Sequence, residues 1–175
     1  MTAEEPITLK EIQLRLGVPQ HVLIHLCEKG AIEPDFADTS GRGRRREFSH
    51  RNLFEFGVAL ALRRFELPVA TIALQVRILR TFGRAVGKAV PGFTIPDALI
   101  DKNIELTLCC FDAEMLVLCA SGGGLRKPLI LSAHIGGNLQ VPDKPPRVVR
   151  IDAMPSKYEA RIDVDLSEIA RKMLI

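Results

Sequence analysis

The densest chemistry in this sequence is a run of guanidinium groups. Between Thr39 and Arg51 stand five arginines, Arg42, Arg44, Arg45, Arg46 and Arg51, against one acid, Glu47. A guanidinium is planar, always charged and forked, so it grips phosphate oxygens at two points. Clustered cations on a polyanion also gain from counterion release. The segment is therefore a candidate phosphate contact; the bland alternative is a solvated charged loop. A second polar group is Gln20, His21 and His25. His21 and His25 are four residues apart and can share one helix face. That spacing would suit a metal, but no third ligand stands near it in the sequence. The pair is read instead as groove-facing polar contacts, and no metal or cofactor is expected.

Other reactive residue types carry less. Cys109 and Cys110 are adjacent, so in a strand they point to opposite faces and cannot grip one ion. With Cys119 they read as small apolar residues of a sheet, a thiol-sensing role being the minor alternative. Cys27 completes the set of four, and no Cys-x-x-Cys occurs. Ser121-Gly122-Gly123-Gly124 lacks the Gly-Lys-Ser/Thr ending of a phosphate loop, and a hairpin tip is the better reading. Neither Ser121 nor His134 has partners at a spacing that makes a catalytic set. An enzyme is the least supported class.

Composition is consistent with this. The 175 residues are 47% apolar and 26% charged, enough for a normal core in one medium or two small domains. There is no Trp and one Tyr, which speaks against an aromatic-lined sugar or single-strand groove. The net charge of +3 arises wholly before residue 85, because basic and acidic residues balance after it. No basic segment followed by an apolar run opens the sequence, and no stretch reaches the ~20 apolar residues of a membrane span. A cytoplasmic protein with reduced thiols and no membrane partner is expected.

Local patterns predict the elements that must carry the polar groups. Thr8-x-x-Glu11 is a capping box ahead of Leu9, Ile12 and Leu16, and Gly17 can end that helix. Pro19 opens a second helix with Val22, Leu23 and Leu26, which Gly30 stops. The result is helix, tight turn, helix. Arg44–Phe48 is expected as one strand of a short hairpin. Ser49 caps a third helix, and Pro68 opens a fourth carrying Val69, Ile72, Val76 and Leu79. Gly83, Gly87, Pro91, Gly92 and Pro96 then mark a linker over 84–96 or the frayed end of that helix. Strands are expected at Ile104–Phe111, Met115–Ala120, Leu129–Ile135, Arg147–Asp152 and Ala160–Asp165. Asp165 or Ser167 caps a last helix. The fold class is α+β: a helical domain over 1–83 and a small antiparallel β-rich domain over 97–175.

The order of elements resembles the winged helix-turn-helix domain of the MerR family. The stretches that carry the likeness are Leu9–Val18 (LKEIQLRLGV), Glu28–Ile32 (EKGAI), Gly41–Leu53 (GRGRRREFSHRNL) and Leu67–Ile72 (LPVATI), within residues 7–80. The resemblance implies a second helix in the major groove and a wing along the backbone of double-stranded DNA. It assigns Gln20, His21 and His25 to the helix and Arg42, Arg44, Arg45 and Arg46 to the wing. Thr8 and Arg51 complete the expected contact set. Two places depart from the family pattern. The middle of the second helix reads Leu23-Ile24-His25-Leu26, without the usual basic residue and aromatics. No heptad run follows the fourth helix, so a homodimer is expected through residues 97–175 instead. The expected function is transcription control, with RNA polymerase or another protein as a further partner. The alternatives are a winged-helix protein-interaction module, or a phage- or plasmid-type architectural or recombination-associated DNA binder.

Overall fold

Caps decide where the first helices begin and end. In the computed structural model, which describes residues 5–36, 46–89, 93, 95, 96, 99, 103–136 and 146–174, helix α1 is Leu9–Leu16. The Thr8 hydroxyl accepts from the Glu11 amide at 3.3 Å, and the Glu11 carboxylate accepts from the Thr8 amide at 2.7 Å. Gly17, at φ 63°, turns the chain out of the helix while its amide donates to the Gln13 carbonyl. Helix α2, Gln20–Glu28, follows Pro19 directly. Its end is closed by the Ala31 and Ile32 amides, which both donate to the Leu26 carbonyl. Helix α3, His50–Arg63, starts at a second capping box, Ser49 with Asn52. Leu53, Phe54, Phe56, Val58 and Ala59 are all fully buried, so α3 has almost no solvent face before its last turn.

The strand expected at Arg44–Phe48 is present at its described end as β2, Glu47–Phe48, which pairs with β1, Ile7–Thr8, ahead of α1. The rest of the expected hairpin lies outside the described residues. The pairing Ile7↔Phe48 carries both side chains into the core, and that burial selects the partner. Of the stretch 84–96, expected as a linker or as the frayed end of the fourth helix, the first six residues are helical. Helix α4 runs from Val69 to Ala89, straight through Gly83 and Gly87. A Cβ on Gly83 would stand 3.2 Å from Ile95, and one on Gly87 would stand 3.2 Å from the Phe93 carbonyl oxygen. The glycines serve close approach of the returning chain. That contact offsets the ~1 kcal/mol a glycine costs inside a helix.

The second half is a five-stranded antiparallel sheet. Its strands are β3 (Ile104–Phe111), β4 (Met115–Gly122), β5 (Leu129–His134), β6 (Val149–Ile151) and β7 (Arg161–Asp165), in the order β6-β5-β4-β3-β7. Ser121–Gly124 leads from β4 into the β4–β5 connection. Gly122 is required there, since a Cβ would meet the Asn103 carbonyl oxygen at 2.5 Å. The strand alternation is as expected. Ile104, Leu106, Leu108 and Cys110 face the helices in one core that also holds Phe54, Phe56, Ile72, Leu79 and Phe82. Cys109, Phe111, Val117 and Ile130 form a separate cluster on the outer face. Strands β6 and β7 are opposite edges, so the connection between them has to cross the sheet. It does so over the outer face, where Met154 joins the cluster and Tyr158 meets Phe111 edge-on at 4.8 Å. Burial, and then Asp163, push the Cys109 thiol up to about 12, and burial raises Cys110 and Cys119 as well. These thiols stay protonated at neutral pH.

The last helix, α5 (Leu166–Leu174), begins where β7 stops. The Asp165 carboxylate caps it by accepting from the Glu168 amide at 2.8 Å. From that point β3 has no strand on its β7 side, and a buried hydroxyl takes over. Ser167 Oγ accepts from the Leu106 amide at 2.8 Å and donates to the Ile104 carbonyl at 3.3 Å. The helix also packs on α3: a Cβ on Gly57 would fall 2.0 Å from Met173 Cε and 2.9 Å from Ile169 Cγ2. The two halves therefore share a core. Replacing Ser167 by Ala should leave the Leu106 amide buried without a partner, at a cost of about 1–3 kcal/mol in urea unfolding. A loss below ~0.5 kcal/mol would show that water replaces the hydroxyl.

Candidate nucleic-acid interface

Three elements position the expected polar groups. Helices α1 and α2 are joined by Gly17-Val18-Pro19. Leu23 and Leu26 anchor α2 in the core at 0% exposure, which turns Gln20 and His21 out to solvent at its first turn. His25, one turn on, is half-buried. The β1–β2 pair supplies the third element. Thr8 faces Glu47 across it, so the inner end of the basic segment, Arg46, enters the fold beside the start of α1. Arg46 is half-buried. The assignments to Arg42, Arg44 and Arg45 lie outside the described residues.

Two members of the expected contact set already have structural work. Thr8 Oγ1 donates to the Glu11 carboxylate at 2.7 Å while it caps α1. Arg51 is bound side-on to Asp35, with Nε donating to Oδ2 at 3.0 Å and Nη2 to Oδ1. Its guanidinium fork is thus filled by a carboxylate, and Arg51 fixes the loop after α2. The side chains of Gln20 and His21 make no hydrogen bond among the described residues.

That loop is held by a polar network which sequence reading missed. Glu55, 2% exposed on α3, receives Arg80 of α4 through Nε at 2.6 Å and Nη2 at 2.7 Å. Asn52, fully buried, uses both ends of its amide. Nδ2 donates to Glu55 Oε2 at 3.0 Å and to the Glu33 carbonyl at 2.9 Å, and Oδ1 accepts from the Asp35 amide at 2.9 Å. Ser49 Oγ donates to the Asp35 carboxylate, and Arg80 Nη2 reaches the Glu33 carbonyl at 3.3 Å. One signal in the sequence pointed here: Glu55 sits in Leu53-Phe54-Glu55-Phe56, where an acid surrounded by apolar neighbours needs a buried cation. Among the described residues no three His, Cys, Asp or Glu side chains gather as a metal site would require.

The electrostatics follow burial and pairing. Burial pushes the Asp35 carboxyl up, but the hydrogen bonds from Arg51 and Ser49 outweigh it and hold it below the usual carboxylate range. Burial lifts Glu55 above that range against the pull of Arg80 and Asn52. For Arg80, burial works against the charge, and the Glu55 carboxylate more than restores it.

Two outcomes follow. Arg80→Ala should leave Glu55 buried without its cation and cost about 3–5 kcal/mol in denaturant unfolding. Replacing both, Arg80→Met with Glu55→Leu, should recover most of that loss; a double variant as weak as the single would mean that packing, and not the charge, sets the cost. Asp35 has a depressed folded-state value, so its contribution is present above about pH 4, the unfolded value, and is lost as pH falls through the folded one. The acid limb of a stability–pH curve should therefore flatten in Asp35→Asn. An unchanged limb would show that the Asp35 pairs contribute nothing. Compared with models of known protein families and with curated protein sequences, the chain matches none, so what this surface binds has to be argued from its geometry.

Proposed function

We propose that the chain is a MerR-type regulator of transcription that binds double-stranded DNA through α2 and the basic segment before β2. One observation carries the reading. The β1–β2 pair ties the start of α1 to Arg46, so the helix pair and the arginine run share an anchor. Helix-turn-helix readers use the first residues of their second helix on base edges. Gln20 and His21 are exposed at that position here, and Gln can meet the major-groove edge of adenine with two hydrogen bonds. The arginines supply sequence-independent affinity through phosphates. Arg51 leaves the contact set, because its fork is taken by Asp35. Thr8 contributes through the cap of α1.

Pairing on an inverted repeat through residues 97–175 belongs to the same reading. Both faces of the sheet are covered, one by the helices and one by the crossing segment. The edge strands β6 and β7 are the surfaces left for a second copy.

A gel-shift series tests the proposal. A dimer using four arginines per copy should neutralise about eight phosphates, giving a log–log salt slope of about −7. Arg44→Ala with Arg45→Ala should weaken binding to every duplex and roughly halve that slope. Gln20→Ala or His21→Ala should cost about 1–3 kcal/mol on the preferred site and little on random DNA. Absence of duplex binding at low salt would overturn the reading in favour of a protein-interaction module. Equal losses on preferred and random DNA would remove Gln20 and His21 from base reading.

A further inference from the structure

Helix α3 is closed to solvent until its last turn, where Leu60 and Ala61 come half into the open. They lie in a groove of about 500 Å³. The turn between α1 and α2 lines it with Leu16, Val18 and Val22, and α5 lines it with Ile169 and Met173. All of these apolar side chains are half-buried, so part of the lining is open to solvent. The charged lining has one sign. Arg63 and Arg64 stand exposed at the end of α3, Lys172 stands exposed on α5, and no acid lines the groove. Lys172 meets Glu168 at 3.1 Å along its own helix, an exposed pair that holds it weakly. Arg63 and Arg64 have no ion pair with any described residue. Open apolar surface and unanswered positive charge therefore coincide, and two helices contribute to both.

We propose that this groove docks an acidic amphipathic helix of a partner protein, its apolar side chains on Leu16, Leu60 and Ile169 and its carboxylates on Arg63, Arg64 and Lys172. Shape and charge select that occupant. A small ligand is usually buried over about 70–90% of its surface. This groove is open along one side, which suits a helix laid into it with its own polar face in water. A second copy of the chain has the wrong sign. Among the described residues, Leu14 is the one large apolar side chain exposed on a helix, and Lys10 and Arg15 flank it. Docking that face would set cations against cations. A nucleic acid would engage the arginines and leave the apolar strip wet. The inference does not rest on the DNA reading, since neither Gln20 nor His21 lines the groove. The two surfaces meet only at the start of α2, where Val18 and Val22 stand on either side of that pair in the chain.

Fluorescence anisotropy tests it, with the full chain titrated into a fluorescein-labelled designed helix. That peptide carries leucine at the i, i+3, i+4 and i+7 spacing, with glutamate and alanine elsewhere. Its controls are a scrambled peptide of the same composition and a counterpart in which lysine replaces every glutamate. The expected result is one peptide per chain, bound about tenfold or more tighter than either control. Arg63→Glu with Lys172→Glu should weaken binding about tenfold or more, and so should Ala61→Glu, which sets a carboxylate in the apolar strip. Arg84→Glu with Lys88→Glu, exposed cations of α4 beside a different groove, should leave it unchanged. Circular dichroism checks the fold, and glutamine takes the place of glutamate in any variant that unfolds. No saturable binding below about 1 mM would overturn the proposal. Equal binding of either control, full binding in either groove variant, or loss of binding in the Arg84/Lys88 variant would do the same. So would displacement of the peptide by inorganic triphosphate or duplex DNA at concentrations comparable to its own.

Discussion

A charge buried in the helical half has to be answered from a neighbouring helix, and most of that half is arranged around the answer. Glu55 lies on a helix with almost no solvent face, at a depth where an unpaired carboxylate would cost several kcal/mol. Arg80 meets it from α4 with two hydrogen bonds. The pair fixes how α3 and α4 lie along one another, because a slip of either helix by one residue would separate the fork from the carboxylate. Its stability contribution is smaller than its geometry suggests, since both ions were well solvated before folding. Its value is register.

The same pair sets the path of the chain after α2. Asn52 bridges Glu55 to Glu33 and Asp35, and Asp35 in turn holds Ser49 and Arg51. The loop thus has no core of its own and borrows its shape from two helices. Seen from there, Arg51 belongs to the scaffold, though its position in an arginine run suggests a ligand contact. Five arginines in thirteen residues can serve two purposes, and the partner of each decides which.

How much of this was legible in the sequence depends on range. Helix ends were readable because their signals are local: Thr8 with Glu11, Gly17, Ser49 with Asn52 and Asp165 each act within one turn. Strand faces were readable because β3 alternates over its first five residues, Ile104 to Leu108. Features that failed to show depend on residues far apart. The β1–β2 pair has two residues on each side, too few to display a period. Gly83 and Gly87 read as helix breakers until Phe93 and Ile95 are seen against them. The partner of Arg51 stands sixteen residues earlier, with nothing in the local pattern to mark it. At the candidate interface, Gln20 and His21 were placed correctly on an exposed first turn, while Arg42, Arg44 and Arg45 lie outside the described residues.

The seat of α5 on α3 bears on how the chain comes into being. The smooth patch at Gly57 is complementary to Met173 and Ile169, residues that leave the ribosome long after α3 has formed. During synthesis the helical half therefore spends an interval with that patch open, and its core is closed only when the final helix arrives. Long-range closure of this kind slows folding, because loop entropy is lost before the contact repays it. It also makes the molecule self-inspecting. A chain cut short before α5 keeps an apolar seat on its surface, the feature by which chaperones and proteases recognise unfinished proteins.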